Sequence, residues 1–148
     1  MNQPKSLSYL ATFHRKRGKT IVLALGCFEI IHPGHREYLR YAKSLGNYLM
    51  VAVTPDNAVG KGLGRPIFSV QDRMAMLDEM RCVDFSFVHD GWQAAIEAVK
   101  PHIYIKGIEY KGKLPEQELV EQLGGKVVFH EGRVFSSTAI VKGEMLKC

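Results

Sequence analysis

The chain has 148 residues, 46% of them apolar and 24% charged, which suits one domain over residues 1–148 with a single core. Its formal net charge of +5 favours acidic ligands without naming one. No apolar stretch approaches the ~20 residues that cross a bilayer, residues 1–8 lack the apolar core of a secretion signal, and Cys27, Cys82 and Cys148 form no Cys-x-x-Cys pair. The expectation is a cytoplasmic protein with reduced thiols, no disulfide framework, no zinc site and no membrane partner.

Helix-like and strand-like segments then alternate along the chain. Residues 7–17 have the pattern of a short amphipathic helix, with Leu7, Leu10, Ala11 and Phe13 ahead of a basic run over 14–19. Such a run reads as a solvated helix end, and residues 1–19 as an N-terminal helical extension. Residues 20–25 are continuously apolar, as in a strand buried on both faces, and Gly26 ends the run. From 34 to 44, His35, Leu39 and Ala42 share one helical face, and Gly46 stops the helix. Residues 48–53 form the next strand, followed by a loop over 57–68 rich in Gly, Lys and Arg. Ser69 and Asp72 have capping-box spacing ahead of a helix carrying Val70, Met74, Leu77 and Met80. A strand at 85–88, a helix at 92–99 and a strand at 102–105 come next, with residues 106–110 leaving that strand's carboxyl end. A helix runs from Pro115 to Leu123, a fifth strand spans 126–129, and a last helix begins near Ser136. Five strands joined by helices predict a Rossmann-like, doubly wound parallel α/β sheet with its core over 20–141. Ligands in such sheets sit beyond the strands' carboxyl ends, where the strand order reverses.

Three segments at such positions carry chemistry. His32 and His35 lie three apart around Pro33-Gly34, directly after the first strand, so a first helical turn puts both rings on one side. Pro33 suits the first helical position, and Gly34 admits a ligand close to the backbone. A polyphosphate there would meet free N–H groups, the helix dipole and imidazole donors together. Without a third ligand or a neighbouring Glu base, the pair is not a metal site. The other two segments are 106–110 and 136–138. Taken singly, Lys61 and Arg65 read as solvated loop charges, Arg73 as an exposed helix residue, Ser136 as an N-cap, and the methionines at 74, 76 and 80 as core. Basic residues are not interleaved with aromatic ones, so no nucleic-acid partner is expected.

Gly26-Cys27-Phe28-Glu29 followed by His32-Pro33-Gly34-His35 resembles the G-x-F-D and H-x-G-H signature of the nucleotidylyltransferase superfamily. Further segments continue the likeness in order: Lys61 to Ile67 resembles its lysine-bearing loop, Asp72-Arg73 its helix-borne arginine, Val83-Asp84 its strand entry, and Phe135 to Ile140 its I-S-[ST]-T-x-[IL] segment. Within the superfamily, Lys106-Gly107-Ile108-Glu109-Tyr110 is similar to the K-G-x-D-Y of heptose 1-phosphate adenylyltransferases. The neighbouring glycerol 3-phosphate cytidylyltransferases are matched less well, because Glu131 stands where their R-T-x-G-I-S-T-T pattern has arginine. Glu29 departs from the signature Asp by one methylene, enough to shift a substrate or magnesium contact.

The resemblance implies nucleotidyl transfer from ATP to a sugar phosphate, with a cytidylyltransferase of a small phosphoalcohol as the alternative and a non-catalytic nucleotide sensor as the alternative of another class. It implies His32, His35 and Lys61 as the catalytic set. Gly26, Cys27, Phe28, Gly34, Arg73, Lys106, Gly107, Glu109, Tyr110, Ser136, Ser137 and Thr138 would bind the nucleotide. It also implies Mg2+ held mainly through the triphosphate, with no protein metal site, and a homodimer.

Overall fold

The computed structural model of the chain describes residues 3–132 and 137–142. Five strands, β1 (Ile21–Gly26), β2 (Tyr48–Val53), β3 (Phe85–Val88), β4 (Ile103–Gly107) and β5 (Lys126–His130), form one all-parallel sheet in the order β3-β2-β1-β4-β5. Helices α1 (Gln3–Lys16), α2 (Pro33–Ser44), α3 (Val70–Asp78), α4 (Trp92–Val99), α5 (Glu116–Gln122) and α6 (Ser137–Val141), with short 3-10 turns at Asp56–Ala58 and Ile108–Tyr110, complete the described elements. The expected Rossmann-like, doubly wound sheet is present.

The two-sided burial of β1 and β2 explains their unbroken apolar runs. In β1, Ile21 and Leu23 join the core under α1, α4 and α5, whereas Val22 and Ala24 face the core under α2 and α3. Alternate side chains of a strand point to opposite faces, so a strand covered on both sides has no polar phase. Leu39 and Ala42 of α2 and Leu77 of α3 are fully buried on the second face. No described helix is long and apolar enough to cross a membrane.

Two boundaries and one helix end differ from expectation. Helix α1 starts at Gln3 rather than at 7, because its first turn is polar and adds nothing to the apolar period. Its basic end is not purely solvated: the Arg15 guanidinium donates to the Val99 carbonyl and, at 3.2 Å, to the Lys100 carbonyl, covering the end of α4. Strand β4 runs two residues further than its apolar run, through Lys106 and Gly107, which pair with Phe129 and His130 of β5.

Gly46 acts by contact rather than by conformation. The residue that caps α2 is Leu45, in right-handed helical geometry. A Cβ on Gly46 would lie 2.6 Å from the Thr20 carbonyl oxygen and 2.8 Å from Val22 Cγ2, where the α2–β2 turn crosses the start of β1. Gly46→Ala is expected to cost about 1–3 kcal/mol by overpacking, read as a lower urea midpoint with an unchanged slope. An unchanged midpoint would show that the backbone there yields freely.

Candidate active site at the β1–β4 switch

Strand order reverses between β1, which is followed in space by β2 and β3, and β4, which leads to β5. A cavity of about 580 Å³ opens at the carboxyl ends of the strands around this point. From β1 and the turn after it come Gly26, Cys27, Phe28 and Glu29; from α2, with the residue before it, come His32, Gly34 and His35. The loop after β2 gives Lys61, and the β4 end gives Lys106, Gly107, Glu109 and Tyr110. The resemblance-derived residues from these four segments therefore share one cavity.

The turn between β1 and α2 is held in a strained form. Phe28 has φ of 49°, a left-handed conformation that costs a non-glycine residue about 1–2 kcal/mol. It turns the ring inward, where it is 5% exposed and lies 5.2 Å from the His35 ring. A Cβ on Gly26 would meet that ring at 3.1 Å, which explains the glycine before it.

The histidines are stacked, with ring centroids 3.7 Å apart and planes 16° from parallel. His32 is the N-cap of α2, its Nδ1 accepting the His35 backbone N–H at 3.3 Å. In the neutral ring the proton is therefore on Nε2. His35 Nδ1 is buried and has no hydrogen-bond partner among the described residues. Burial, then the neighbouring His32, pushes the His35 imidazole down to about 4. Burial also lowers His32. The site as it stands holds both rings neutral at pH 7.

Glu29 has no free edge for a substrate or metal. Its carboxylate, 2% exposed, accepts a two-pronged hydrogen bond from Arg65, through Nε and, at 2.7 Å, through Nη2, and accepts the Ile67 N–H at 3.2 Å. Lys61 Nζ stands 3.8 Å away. The Arg65 hydrogen bond holds the carboxyl below the usual carboxylate range, against the opposing effect of burial. The extra methylene is thus used to tie the lysine-bearing loop to the β1–α2 turn.

Lys106 is similarly placed by neighbours. Its Nζ lies 3.8 Å from the buried Glu116 carboxylate, which also accepts the Tyr104 hydroxyl at 3.2 Å, and 4.8 Å from the Tyr110 ring centroid. Burial lowers its pKa while Glu116 opposes that shift.

Arg73 is not in the cavity. It is 1% exposed, neither the solvated helix residue nor the phosphate-facing one that the sequence suggests. Its guanidinium donates to the Phe68 carbonyl at 3.1 Å, the Cys27 carbonyl at 2.7 Å and the Asp56 carboxylate at 2.8 Å. Thr138, half-buried on α6, does not line the cavity either. Ser136 and the side chain of Ser137 lie outside the described residues.

Thr54, His130 and Tyr38 are among the lining residues that sequence reasoning passed over. Thr54 follows β2, His130 ends β5, and Tyr38 of α2 anchors its hydroxyl on the Ile105 carbonyl at 2.8 Å. Thr54 and His130 carry the positional signal of a strand's carboxyl end; Tyr38 carries none. Among the described residues no group of three or more His, Cys, Asp or Glu side chains could hold a metal, and Cys27 and Cys82 are free thiols.

Two outcomes test this electrostatic arrangement. Arg73→Leu strands three acceptors and is expected to destabilise the ligand-free protein by about 3–5 kcal/mol, seen as a large fall in Tm. A normal Tm with altered nucleotide affinity would instead return Arg73 to the ligand. The second concerns pH. His14, His32, His35, His89 and His102 all have pKa values lowered by burial, so between about pH 6.5 and 4 the unfolded chain binds more protons than the folded one. Stability is therefore whole above about pH 6.5 and lost as pH falls, His35 alone contributing up to about 3 kcal/mol. The urea midpoint should drop from pH 7 to pH 5 and drop less in His35→Gln; a flat profile contradicts the assignment.

Residues 23–143 match the cytidylyltransferase-like family. The chain is 41% identical over 137 residues to a protein named bifunctional protein HldE from Desulfatibacillum aliphaticivorans, covering 86% of this chain and 27% of that protein. It is 39% identical over 146 residues to the protein of the same name from Coxiella burnetii, covering 93% of this chain and 30% of that one. The chain thus spans under a third of the length of these curated relatives. A crystal structure described as the lipopolysaccharide core biosynthesis protein from Thermoplasma volcanium superposes with a TM-score of 0.65 at 32% identity, covering 80% of this chain and all of that one. By its sequence signature, its strand order and these likenesses, the chain belongs to the cytidylyltransferase-like family of nucleotidyltransferases.

Proposed function

We propose that this chain transfers an adenylyl group from ATP to a sugar phosphate of the heptose 1-phosphate type, releasing pyrophosphate. The observation that carries the reading is the stacked pair His32 and His35 at the start of α2, sharing one cavity with Lys61 and Lys106. The relatives named bifunctional protein HldE support the nucleotide and acceptor classes. An oxygen of the acceptor phosphate attacks the α-phosphorus as the bond to the bridging oxygen breaks, and pyrophosphate leaves with that electron pair. No protein nucleophile is required, so the chain acts by positioning and by matching charge that develops on phosphate oxygens.

His32 would donate from Nε2, and His35 through a ring proton gained or reoriented as phosphate arrives. Lys61 would face the triphosphate or the acceptor phosphate, while Lys106, Gly107, Glu109 and Tyr110 border the nucleoside. A phosphate-borne Mg2+ suits the donor set: Glu29 and Glu109 are the cavity-lining carboxylates among the described residues, and Glu29 is already bound to Arg65. When bound with the triphosphate, the ion would neutralise its charge and orient its oxygens. The protein is read as cytoplasmic and, by family likeness, as a homodimer.

His32→Ala and His35→Ala should each lower kcat for pyrophosphate release about 100-fold or more, the scale of one lost transition-state donor. The assay is run with ATP and with CTP over a panel of sugar and polyol phosphates. A double variant with near-normal turnover would falsify the mechanism. CTP preference with glycerol 3-phosphate would replace the adenylyl reading by the cytidylyl one. Nucleotide binding without turnover on any acceptor would leave a sensor.

A further inference from the structure

We propose that Thr54, oriented by His89, is a specificity-determining hydrogen-bond donor to an oxygen of the phosphorylated sugar. This rests on the adenylyl-transfer reading above and assigns the acceptor side of the same cavity. Both residues are 9% exposed, and neither belongs to the nucleotidyl-transfer signature.

The polarity of the contact is fixed by a backbone amide. Gly91 N–H donates to His89 Nδ1 at 2.9 Å. An amide nitrogen can only donate, so Nδ1 is the acceptor and the imidazole proton is on Nε2. That proton is given to Thr54 Oγ1, 3.2 Å away. Burial lowers the His89 pKa, which keeps this tautomer neutral at pH 7. Thr54 has one hydroxyl proton, and its oxygen is already accepting. The hydroxyl is therefore left to donate, and no described residue takes that proton. Thr54 lines the cavity, so the donor is available to a ligand there.

Two strand ends hold this pair in place. Thr54 N–H donates to the Gly26 carbonyl at 3.0 Å, and His89 N–H to the Val53 carbonyl at 3.1 Å. The hydroxyl is thus fixed to the β1 end that carries the phosphate-binding turn. Sheet order then assigns its ligand. Thr54 and Lys61 lie on the β2–β3 side of β1, and residues 106–110 and His130 on the β4–β5 side. With the nucleoside against the β4 end, the β2 side is left for the acceptor. A buried donor without a protein partner discriminates strongly, because an acceptor lacking the matching oxygen leaves it unpaired.

The test is steady-state kinetics of the full chain with ATP and its best sugar phosphate, alongside Tm. Thr54→Val, which keeps the side-chain shape, should raise KM for the sugar phosphate about tenfold or more. KM for ATP should move less than twofold, and Thr54→Ser should restore most of the loss. His89→Leu should reproduce the acceptor defect in weaker form, and His89→Gln, whose amide can supply an N–H to Thr54, should recover part of it. Equal changes in both KM values, or a loss that follows Tm and is not rescued by serine, overturn the proposal while leaving the transfer reading intact. Absence of turnover by the wild-type chain with every sugar phosphate overturns the transfer reading, and this assignment with it.

Discussion

One buried guanidinium holds the β1–α2 turn in shape. Arg73 sits on α3, yet it reaches the Cys27 carbonyl inside the turn, the Phe68 carbonyl before its own helix and Asp56 in the loop after β2. Three segments that meet only at the strand ends are thereby fixed to one planar group. The β1–α2 turn needs such support because Phe28 is in a left-handed conformation that the isolated chain disfavours. Guanidinium geometry suits the task, since its donors form a rigid fork that a lysine lacks. Release of the turn would move the N-terminus of α2, and with it both histidines.

Glu29 extends the same framework to the lysine-bearing loop. A carboxylate in a cavity proposed to take phosphate looks unfavourable by charge alone. Arg65 and the Ile67 N–H satisfy it fully, so it acts as an internal anchor rather than as a repelling charge. In formal charge Arg65 offsets Glu29, and Lys61, 3.8 Å from the same carboxylate, adds a further positive charge at the cavity. An aspartate would reach less far toward Arg65 and Ile67. The difference between this chain and the family signature is therefore one of reach, not of charge.

The sheet was legible because burial on both faces leaves a simple mark. The run at 48–53 is a continuous apolar segment between turn residues, 85–88 is apolar but for Ser86, and both strands have those limits in the structure. Lys106 and Gly107 gave no such mark, because their strand geometry comes from pairing with β5 rather than from their own side chains. The β1–α2 turn was legible for a related reason: a glycine ending an apolar run, a proline at a first helical position and two histidines three apart fall within ten residues. Arg73 was not, since two of its acceptors are backbone carbonyls, which any residue supplies. Thr54 and His89 were hidden in the same way, being 35 residues apart and joined only by the adjacency of β2 and β3.

The neutral histidines follow from burial and from their own proximity. Two cations stacked at 3.7 Å would repel each other, and burial adds to that penalty, so the ligand-free site keeps both rings uncharged. A polyphosphate reverses both effects, because its negative charge favours the protonated ring and its oxygens accept the ring protons. Under the proposed reaction, the imidazoles gain donor strength as the phosphates arrive and more as charge builds on the leaving oxygen. Under the same proposal, the lysines would draw the nucleotide in and the histidines would respond to where its charge moves.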